Sequence, residues 1–309
     1  MAKRAMWCGA AIGIGVLLAT PLAAAPQGPL DTAPRTAIVS AFEPEWIALQ
    51  KGVAEPKSWT VNGVRFVGGT MAGRPVLLFL SGVSMTNAAM TTQLALDRFN
   101  IRRIVFSGVA GGIDPSLDVG DVVVPDRWGQ YLESVFAREE NGRFVLPGRP
   151  RDAEPIANYG MIFPNGVSVR RDGTEEAERR FWFEADPALL TLARGVAAKI
   201  TLDRCRETLC LTKQPKVVVG GAGISGPVFM DNAAFRRYAF DTYKATVTDM
   251  ETAAVGQVAY ANHVPYIAFR SLSDLAGGQA GENQARAFYR LASDNSAAVV
   301  EAFVAALPE

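Results

Sequence analysis

The chain has 309 residues, of which 49% are hydrophobic, and its 31 basic residues balance its 31 acidic residues to a formal charge of zero. This length suffices for one large α/β domain or two small domains with a substantial apolar core. The neutral balance argues against binding to nucleic acid or to an acidic membrane surface, because both favour a basic protein. A small ligand without strong charge is the expected partner.

The first 25 residues are typical of a secretory signal. Lys3 and Arg4 precede an apolar run of about 12 to 15 residues, which ends at the cleavage pattern Ala23-Ala24-Ala25. The run is shorter than the roughly 20 residues of a transmembrane helix, although an uncleaved anchor stays open as the alternative. We therefore expect a periplasmic or secreted protein without membrane attachment after removal of the signal.

Apolar, strand-like runs alternate with helical stretches along the rest of the chain. The runs end in Gly, Ser or Pro, and the stretches between them carry apolar residues at helical spacing. This alternation predicts an α/β fold with a mixed or parallel sheet wrapped by helices. The predicted strands are TAIVSAF, VLLFLSG, RRIVFSG, DVVVP, KVVVGG and YIAFRS, and the predicted helices are MTNAAMTTQLALDRF, ADPALLTLARGVAAK, DNAAFRRYAFDTY, ETAAVGQVAYA and an alanine-rich stretch over about 282–307.

One segment, from about 126 to 185, interrupts the alternation. It is rich in charged residues, Pro, Gly and aromatic residues, which predicts an excursion from the sheet. Its aromatic residues either pack the excursion into a small cluster of its own or cover a site, and the sequence leaves both roles open. These residues are Trp128, Tyr131, Phe144, Trp182 and Phe183.

Cysteine and histidine are scarce, which limits the chemistry. Cys205 and Cys210 are candidates for a disulfide in an exported protein, with free buried thiols as the alternative. Their spacing, with no second pair or histidine cluster, is not a zinc pattern. His263 is the only histidine, and its place before Pro265 is typical of a helix end. We therefore expect neither a Ser/His/Asp triad nor a metal site, so that chemistry must rest on carboxylates and backbone groups.

Several predicted strands end in residues suited to a ligand site, which α/β sheets form where strand C-termini release loops. Glu43 and Glu45 follow the first strand, and Ser273 and Asp274 follow the last one. The RRIVFSG strand leads into SGVAGGI, whose glycines let a backbone approach a flat ligand. The strand ends thus predict a site that combines carboxylates with closely approaching backbone.

The stretch VVVGGAGISG contains the dinucleotide-binding pattern at Gly221, Gly223 and Gly226. In dinucleotide-binding proteins the third glycine opens a helix whose N-terminus binds pyrophosphate. Here Pro227 follows at once, and the next predicted helix begins only near Asp231. We therefore interpret the pattern as unrelated to nicotinamide or flavin binding.

Five motifs occur in an order that resembles the nucleoside phosphorylase and nucleosidase superfamily, and within it the methylthioadenosine/S-adenosylhomocysteine nucleosidase branch. They are AIVSAFEPE, FSGVAGGIDPSLDVGDVVVP, GISGPVFMDN, TDMETAAV and RSLSD. The resemblance runs from about Arg35 to Pro308. It implies a single three-layer α/β/α domain over 26–309, on a mixed, barrel-like sheet with an insertion at about 126–185, and a homodimer or higher homo-oligomer.

The activity implied by the resemblance is hydrolysis of the N-glycosidic bond of a purine nucleoside, 5′-methylthioadenosine or S-adenosylhomocysteine, without a metal or organic cofactor. Asp274 matches the acid that protonates the leaving purine at N7, with Ser273 in support, and Glu45 matches the carboxylate that orients the attacking water. Cleavage builds negative charge on the base and positive charge on the sugar, which these groups oppose. We expect the pKa of Asp274 to be raised and that of Glu45 to be lowered.

The resemblance also implies which residues hold the nucleoside. Glu251, with the Met250 backbone beside it, matches the holder of the ribose hydroxyls. Phe229 matches an aromatic residue that stacks on the base, next to Met230, and Ala110 and Gly111 match a loop along the base and sugar. The role of Asp249, which precedes Met250, stays open.

The nucleophile is expected to be water rather than phosphate. A phosphorylase must hold phosphate with Arg, Lys or a backbone nest. In phosphorylases of this superfamily arginines lie in the first-strand loop and in the loop after the strand that corresponds to VLLFLSG. Those loops read SAFEPEW and SGVSMTNAA here and carry no cation. A phosphate-dependent purine nucleoside phosphorylase remains the alternative.

Two features depart from the nucleosidase branch. Val109 stands where small nucleosidases often carry serine. The excursion, with Trp128, and the CRETLC segment resemble instead the exported, vegetative-storage-like members of the superfamily in plants. Some of those members store or bind ligands, so a non-catalytic nucleoside-binding or storage protein is a further alternative.

Overall fold

The structure is a computed structural model that describes residues 28–146 and 156–308. The predicted signal, residues 1–25, lies outside these ranges. The helices are α1 (Glu43–Gln50), α2 (Met85–Arg98), α3 (Pro187–Ala197), α4 (Ala233–Tyr243), α5 (Thr252–Ala261) and α6 (Ala285–Ala306). No helix in the described ranges has the length and apolar content to cross a bilayer.

The strands of the described ranges include all six that the sequence predicts. In chain order they are β1 (Asp31–Ser40), β2 (Val53–Val61), β3 (Val64–Met71), β4 (Arg74–Leu80), β5 (Phe99–Gly112), β6 (Val122–Val124), β7 (Arg127–Gln130), β8 (Ser134–Phe136), β9 (Arg138–Glu140), β10 (Arg143–Val145), β11 (Ile162–Pro164), β12 (Val167–Val169), β13 (Glu178–Arg180), β14 (Trp182–Glu184), β15 (Cys205–Arg206), β16 (Leu209–Cys210), β17 (Val217–Val219), β18 (Ala222–Ser225), β19 (Ala245–Asp249) and β20 (Tyr266–Asp274).

Twelve strands form one mixed sheet, which confirms the predicted α/β class. Its main path runs β14-β7-β18-β19-β5-β1-β4-β3-β2. Outside this path, β20 pairs with β5, β6 pairs with β20, and β17 pairs with β6. β1 is parallel to both β4 and β5, β20 is parallel to β5, and β19 is antiparallel to β5. The path ends at β14 on one side and at β2 on the other, and these two strands are not paired with each other. A closed barrel is therefore not needed to describe the sheet.

Side chains of the central strands alternate between two helix layers. On β1, Val39 belongs to a buried cluster that includes Val255 of α5, whereas Ile38 belongs to a second cluster with Leu49 of α1 and Phe303 of α6. Such alternation follows from the two-residue period of a strand, and it makes both faces of the sheet apolar. The arrangement is the three-layer α/β/α architecture expected from the sequence.

The predicted excursion begins and ends inside the sheet. β7 is parallel to β18 and antiparallel to β14, and Trp128 and Phe183 on these strands are fully buried. The part outside the sheet is therefore narrower than the predicted bounds of 126–185, and residues 147–155 of it lie outside the described ranges. Short antiparallel pairs, β8 with β11, β9 with β10 and β12 with β13, build the described remainder.

The glycine pattern of β18 has a packing explanation. A methyl group added at Gly223 would lie 2.5 Å from the indole of Trp128, so only glycine lets the ring lie against this strand. The next helix, α4, begins at Ala233, and the Asn232 side chain caps it by accepting from the Phe235 N–H. This geometry agrees with the interpretation that the pattern does not bind a dinucleotide.

Cys205 and Cys210 form a disulfide that closes the β15–β16 hairpin. The hairpin is held to α6 by an ion pair of 2.9 Å between Arg206 Nε and Asp294 Oδ2. The disulfide lies on a different part of the molecule from the strand ends that carry the predicted site.

Candidate active site

The predicted site residues line one cavity of about 480 Å³ at the C-terminal ends of β1, β5 and β20. This volume is ordinary for a small-molecule site. β20 is buried along its whole length even though it carries Arg270, Ser273 and Asp274, and buried polar groups are more informative than buried apolar ones. The predicted residues on the cavity wall are Glu45, Ala110, Gly111, Phe229, Met230, Met250, Glu251, Ser273 and Asp274.

Asp274 is a buried carboxyl with two hydrogen-bond donors of its own. Its Oδ1 accepts from the Ala276 N–H at 2.8 Å, and its Oδ2 accepts from the Ser273 hydroxyl at 3.0 Å. Burial raises the pKa of Asp274 above its ordinary value, and these hydrogen bonds oppose part of the rise. The direction is the one expected for an acid that must carry a proton.

Glu45 lies in the first turn of α1, a helix that the sequence analysis treated as a loop. Its side chain accepts three backbone N–H groups, from Ala41 at 2.8 Å, Phe42 at 3.0 Å and Val109 at 2.8 Å. Burial raises the pKa of Glu45, against the lowering effects of the Arg270 charge and of the three donors. The expected lowering of this pKa is therefore wrong, because the carboxylate is 3% exposed and loses its hydration.

Glu251 precedes α5 and bridges two loops. Its Oε1 accepts from the Ser84 N–H at 2.9 Å, and its Oε2 accepts from the Met250 N–H at 3.2 Å. Burial, followed by the charge of Asp249, raises the pKa of Glu251 to about 7. Glu251 therefore changes its charge close to neutral pH.

Asp249 holds the start of α5, next to Glu251, through hydrogen bonds. It accepts from the Ser225 hydroxyl, from the Thr252 hydroxyl and from the N–H groups of Glu251 and Thr252 at the start of α5. Its Oδ2 also forms an ion pair of 2.8 Å with Nε of Arg270. An acid at a helix N-terminus satisfies N–H groups that have no partner within the helix.

Arg270 is a site residue that the sequence analysis did not single out, although RSLSD begins with it. Its side chain is 0% exposed, lies over the Phe106 ring, and has Nη2 3.8 Å from Glu251 Oε2. Among the described residues, its Nη1 has no hydrogen-bond partner. A buried guanidinium N–H without a partner is costly, and the charge of Arg270 is offset here by Asp249 and Glu251.

The apolar part of the cavity wall comes from two loops and from the start of α6. Phe229 is 61% exposed at the rim, and Met230 beside it is buried. Phe42 and Tyr289 meet edge to face, with ring centroids 5.3 Å apart. The wall residues without a predicted role are Ala41, Phe42, Val83, Val109, Val228, Thr248, Asp249, Asn283, Ala285, Arg286 and Tyr289.

A sequence profile places this chain among known proteins. The profile described as phosphorylase superfamily matches residues 35–305. The chain belongs to the phosphorylase superfamily. The resemblance seen in the five motifs is thus confirmed at the level of the family.

Individual relatives within the superfamily agree with this assignment. The 5′-methylthioadenosine/S-adenosylhomocysteine nucleosidase of Bacillus cereus is 30% identical over 247 residues, which cover 79% of this chain and 87% of that protein. The structure of the Neisseria meningitidis nucleosidase of the same name, in complex with methylthio-immucillin-A, has a TM-score of 0.66 at 22% identity and covers 88% of this chain and 99% of that one. Futalosine hydrolase of Helicobacter pylori has a TM-score of 0.65 at 21% identity, with coverage of 89% and 98%.

The protein has a second cavity, which is larger, about 910 Å³, but which is a poorer candidate for the active site. It lies between α3 and the end of α6, near Arg103 and Pro265 at the N-terminal ends of β5 and β20. Among the described residues of its wall, one is a carboxylate, Asp186, whose side chain caps α3. The smaller cavity, where the buried carboxylates converge, is therefore the better candidate.

Within residues 28–146 and 156–308, no group of three or more His, Cys, Asp and Glu side chains is placed to hold a metal ion.

Proposed function

We propose that this protein hydrolyses the N-glycosidic bond of an adenine nucleoside, 5′-methylthioadenosine or S-adenosylhomocysteine, and releases adenine. The observation that carries the proposal is the convergence of Asp274, Glu45 and Glu251 on one cavity of nucleoside size. The names of the Bacillus cereus and Neisseria meningitidis relatives support the choice of substrate. The roles of the individual residues follow from their surroundings.

Asp274 is the proposed general acid. Departure of the base leaves negative charge on the purine, which protonation at N7 neutralises. The raised pKa of Asp274 keeps a larger fraction of this carboxyl protonated at a given pH. Ser273 donates to Asp274 Oδ2 and orients the carboxyl, while its own position is fixed by a 3.4 Å contact with the Ala110 carbonyl.

Glu45 is the proposed base for the attacking water. Three backbone donors fix its carboxylate, so its orientation does not depend on a flexible neighbour. A raised pKa makes a carboxylate a stronger base, which suits proton removal from water better than the expected lowered pKa would.

Glu251 is the proposed ligand of the ribose hydroxyls. Each of its oxygens accepts one backbone N–H and keeps further acceptor capacity for a hydroxyl donor. A carboxylate near the sugar also stabilises the positive charge that the sugar develops as the bond breaks. Phe229 and Met230 complete the proposed binding surface for the base, and Met250, Ala110 and Gly111 line the sugar.

Water is favoured over phosphate by the charges around Glu45. Arg270 is engaged by Asp249, at 2.8 Å, and by Thr252, and it is fully buried. Glu45 itself would repel a phosphate dianion at the position of the attacking nucleophile. The charge of Arg270 is thus already balanced by Asp249, which counts against the phosphorylase alternative.

The test is release of the free base, adenine or, from inosine, hypoxanthine, by the purified mature protein, with and without phosphate. The substrates are methylthioadenosine, S-adenosylhomocysteine, adenosine and inosine. The proposal expects phosphate-independent release from the thioadenosines. Strict dependence on phosphate would support the phosphorylase, and saturable binding without release would support the binding or storage protein.

Export and self-association are further parts of the proposal. Export to the periplasm or medium is supported by the signal-like residues 1–25 and by the Cys205–Cys210 disulfide. Association of two or more copies is supported by apolar side chains at the cavity rim, where Val83, Val228 and Phe229 are 45%, 43% and 61% exposed. Cell fractionation and light scattering of the purified protein test these two points.

A further inference from the structure

Arg286 is a cation on the cavity wall that the proposed mechanism does not use. It is the second residue of α6, is exposed, and makes no ion pair with a described residue. A positive charge in the first turn of a helix opposes the helix dipole, so helix stability does not explain this position. Arg290, one turn later and also exposed, adds a like charge at the unfavourable i,i+4 spacing.

The surroundings of Arg286 indicate which part of a nucleoside it meets. Asn283, three residues earlier, lines the same cavity as Asp274, whose pKa its side chain lowers, and thus marks the base end of the cavity. Tyr289, three residues later, contacts Phe42, whose backbone N–H holds Glu45. Because residues three apart share one face of a helix, Arg286 and Tyr289 line the wall together.

The 5′ substituent is the part of the nucleoside that remains for this stretch of wall. Asp274 and Phe229 are assigned to the base, and Glu251 to the ribose hydroxyls. The wall here combines the two aromatic rings of Phe42 and Tyr289 with the guanidinium of Arg286. This combination is complementary to an apolar thioether chain that ends in an anion.

We propose that Arg286 binds a carboxylate at the end of the 5′ substituent and makes the enzyme prefer carboxylate-bearing thioadenosines, such as S-adenosylhomocysteine, over methylthioadenosine. The inference rests on the proposed function and assigns the substrate class of the same site. A guanidinium pairs with a carboxylate through two parallel N–H donors, which a neutral alkyl chain cannot use. Arg286 is thus a specificity-determining residue and takes no part in bond cleavage.

The test uses two substrates that differ only at the chain end, 5′-(3-carboxypropylthio)adenosine and 5′-butylthioadenosine. In Arg286→Gln, kcat/KM for the carboxylated substrate is expected to fall about 10-fold, while kcat/KM for the butyl substrate stays within about 2-fold. Arg290→Gln is the matched control, because it removes the same charge from a position off the cavity wall. Added salt is expected to lower the preference of the wild type for the carboxylated substrate and to leave the substrate preference of Arg286→Gln unchanged.

Equal losses on both substrates, or no loss on either, would overturn the inference. Release of no adenine by the wild type from either substrate would instead refute the proposed function. In that case, the dissociation constants of the same two nucleosides are measured for wild type and for Arg286→Gln. The ratio of the two constants then tests the inference. An equal affinity change for both nucleosides would then overturn it.

Discussion

Arg270 and Glu45 approach the same point beside β5, the position that a side chain at residue Gly108 would occupy. A methyl group there would lie 2.1 Å from Arg270 Nη1 and 2.6 Å from Glu45 Oε1. The absence of a side chain at Gly108 therefore lets the guanidinium and the carboxylate share this space. Their proximity also accounts for the lowering effect of Arg270 on the pKa of Glu45.

Gly108→Ala is expected to destabilise the fold by about 1–3 kcal/mol, because the added methyl overpacks a buried strand. Displacement of Glu45 and Arg270 is expected to lower kcat by roughly 100-fold or more. Gly195→Ala on α3 is the matched control, because no atom lies within 4 Å of the added methyl there. Unfolding in urea and initial rates measure the two effects, and wild-type kcat in Gly108→Ala would contradict the assigned geometry.

Asp274→Asn is expected to reduce kcat by roughly 10²- to 10⁴-fold while KM changes little. The amide oxygen can still accept one hydrogen bond, so the local fold should persist, but the side chain no longer delivers a proton to the purine. Asp231→Asn serves as control, since this exposed carboxylate accepts from Asn283 and Gln279 near the same loop. Full activity of Asp274→Asn would exclude the assigned acid.

Stability is expected to depend on pH through Glu251. Its pKa is about 7 in the folded protein, against 4.5 as the ordinary value, so the folded state retains a proton that the unfolded chain has released. The stability contributed by this group is complete below about pH 4.5 and is lost as pH rises through 7, with a slope of at most about 1.4 kcal/mol per pH unit.

Urea unfolding of wild type and Glu251→Gln between about pH 5 and pH 8 measures that slope. The difference in free energy of unfolding between the two proteins should shift in favour of Glu251→Gln as pH rises. Glu139→Gln, an exposed change on β9, should leave the wild-type slope unaltered. Parallel curves for wild type and Glu251→Gln would contradict the raised pKa.

Removal of the disulfide is expected to affect stability without affecting catalysis. A loop as short as that between Cys205 and Cys210 gives about 2 kcal/mol in the chain-entropy model, and neither cysteine lies on the cavity wall. The double variant Cys205→Ser/Cys210→Ser should therefore unfold at lower urea concentration and keep wild-type kcat/KM. Reductant should destabilise the wild type and leave the double variant unchanged, and equal responses would argue against a stabilising bridge.

The sequence predicted those parts of the fold and site that local patterns report. YIAFRS, residues 266–271, is a mainly apolar run that leads into Ser273 and Asp274, and such runs identify central strands. The motif order singled out Glu45, Glu251 and Asp274, and in the structure these three residues line one cavity. The sequence analysis does not predict β18 and β19. The apolar pattern of β18 is interrupted by Gly223, and β19 consists of the short, polar segment ATVTD.

Features that depend on contacts between residues distant in the chain could not be predicted from the sequence. The helix α1 has eight residues, of which only Glu45, Ala48 and Leu49 are buried, so its apolar periodicity is weak. The rise in the pKa of Glu45 depends on burial by β5, and the ion pair of Arg270 depends on Asp249, which lies on another strand. The contact of Arg286 with the cavity depends on the path of residues 275–284, which no periodic pattern describes.

The most direct test of the central claim is the identity of the sugar released from methylthioadenosine in buffer that contains phosphate. Mass spectrometry should detect free methylthioribose in an amount equal to the adenine formed, because the proposed base, Glu45, would activate water at a position that repels phosphate. Methylthioribose 1-phosphate as the product, or neither adenine nor sugar after long incubation, would contradict the assignment of this protein as a nucleosidase.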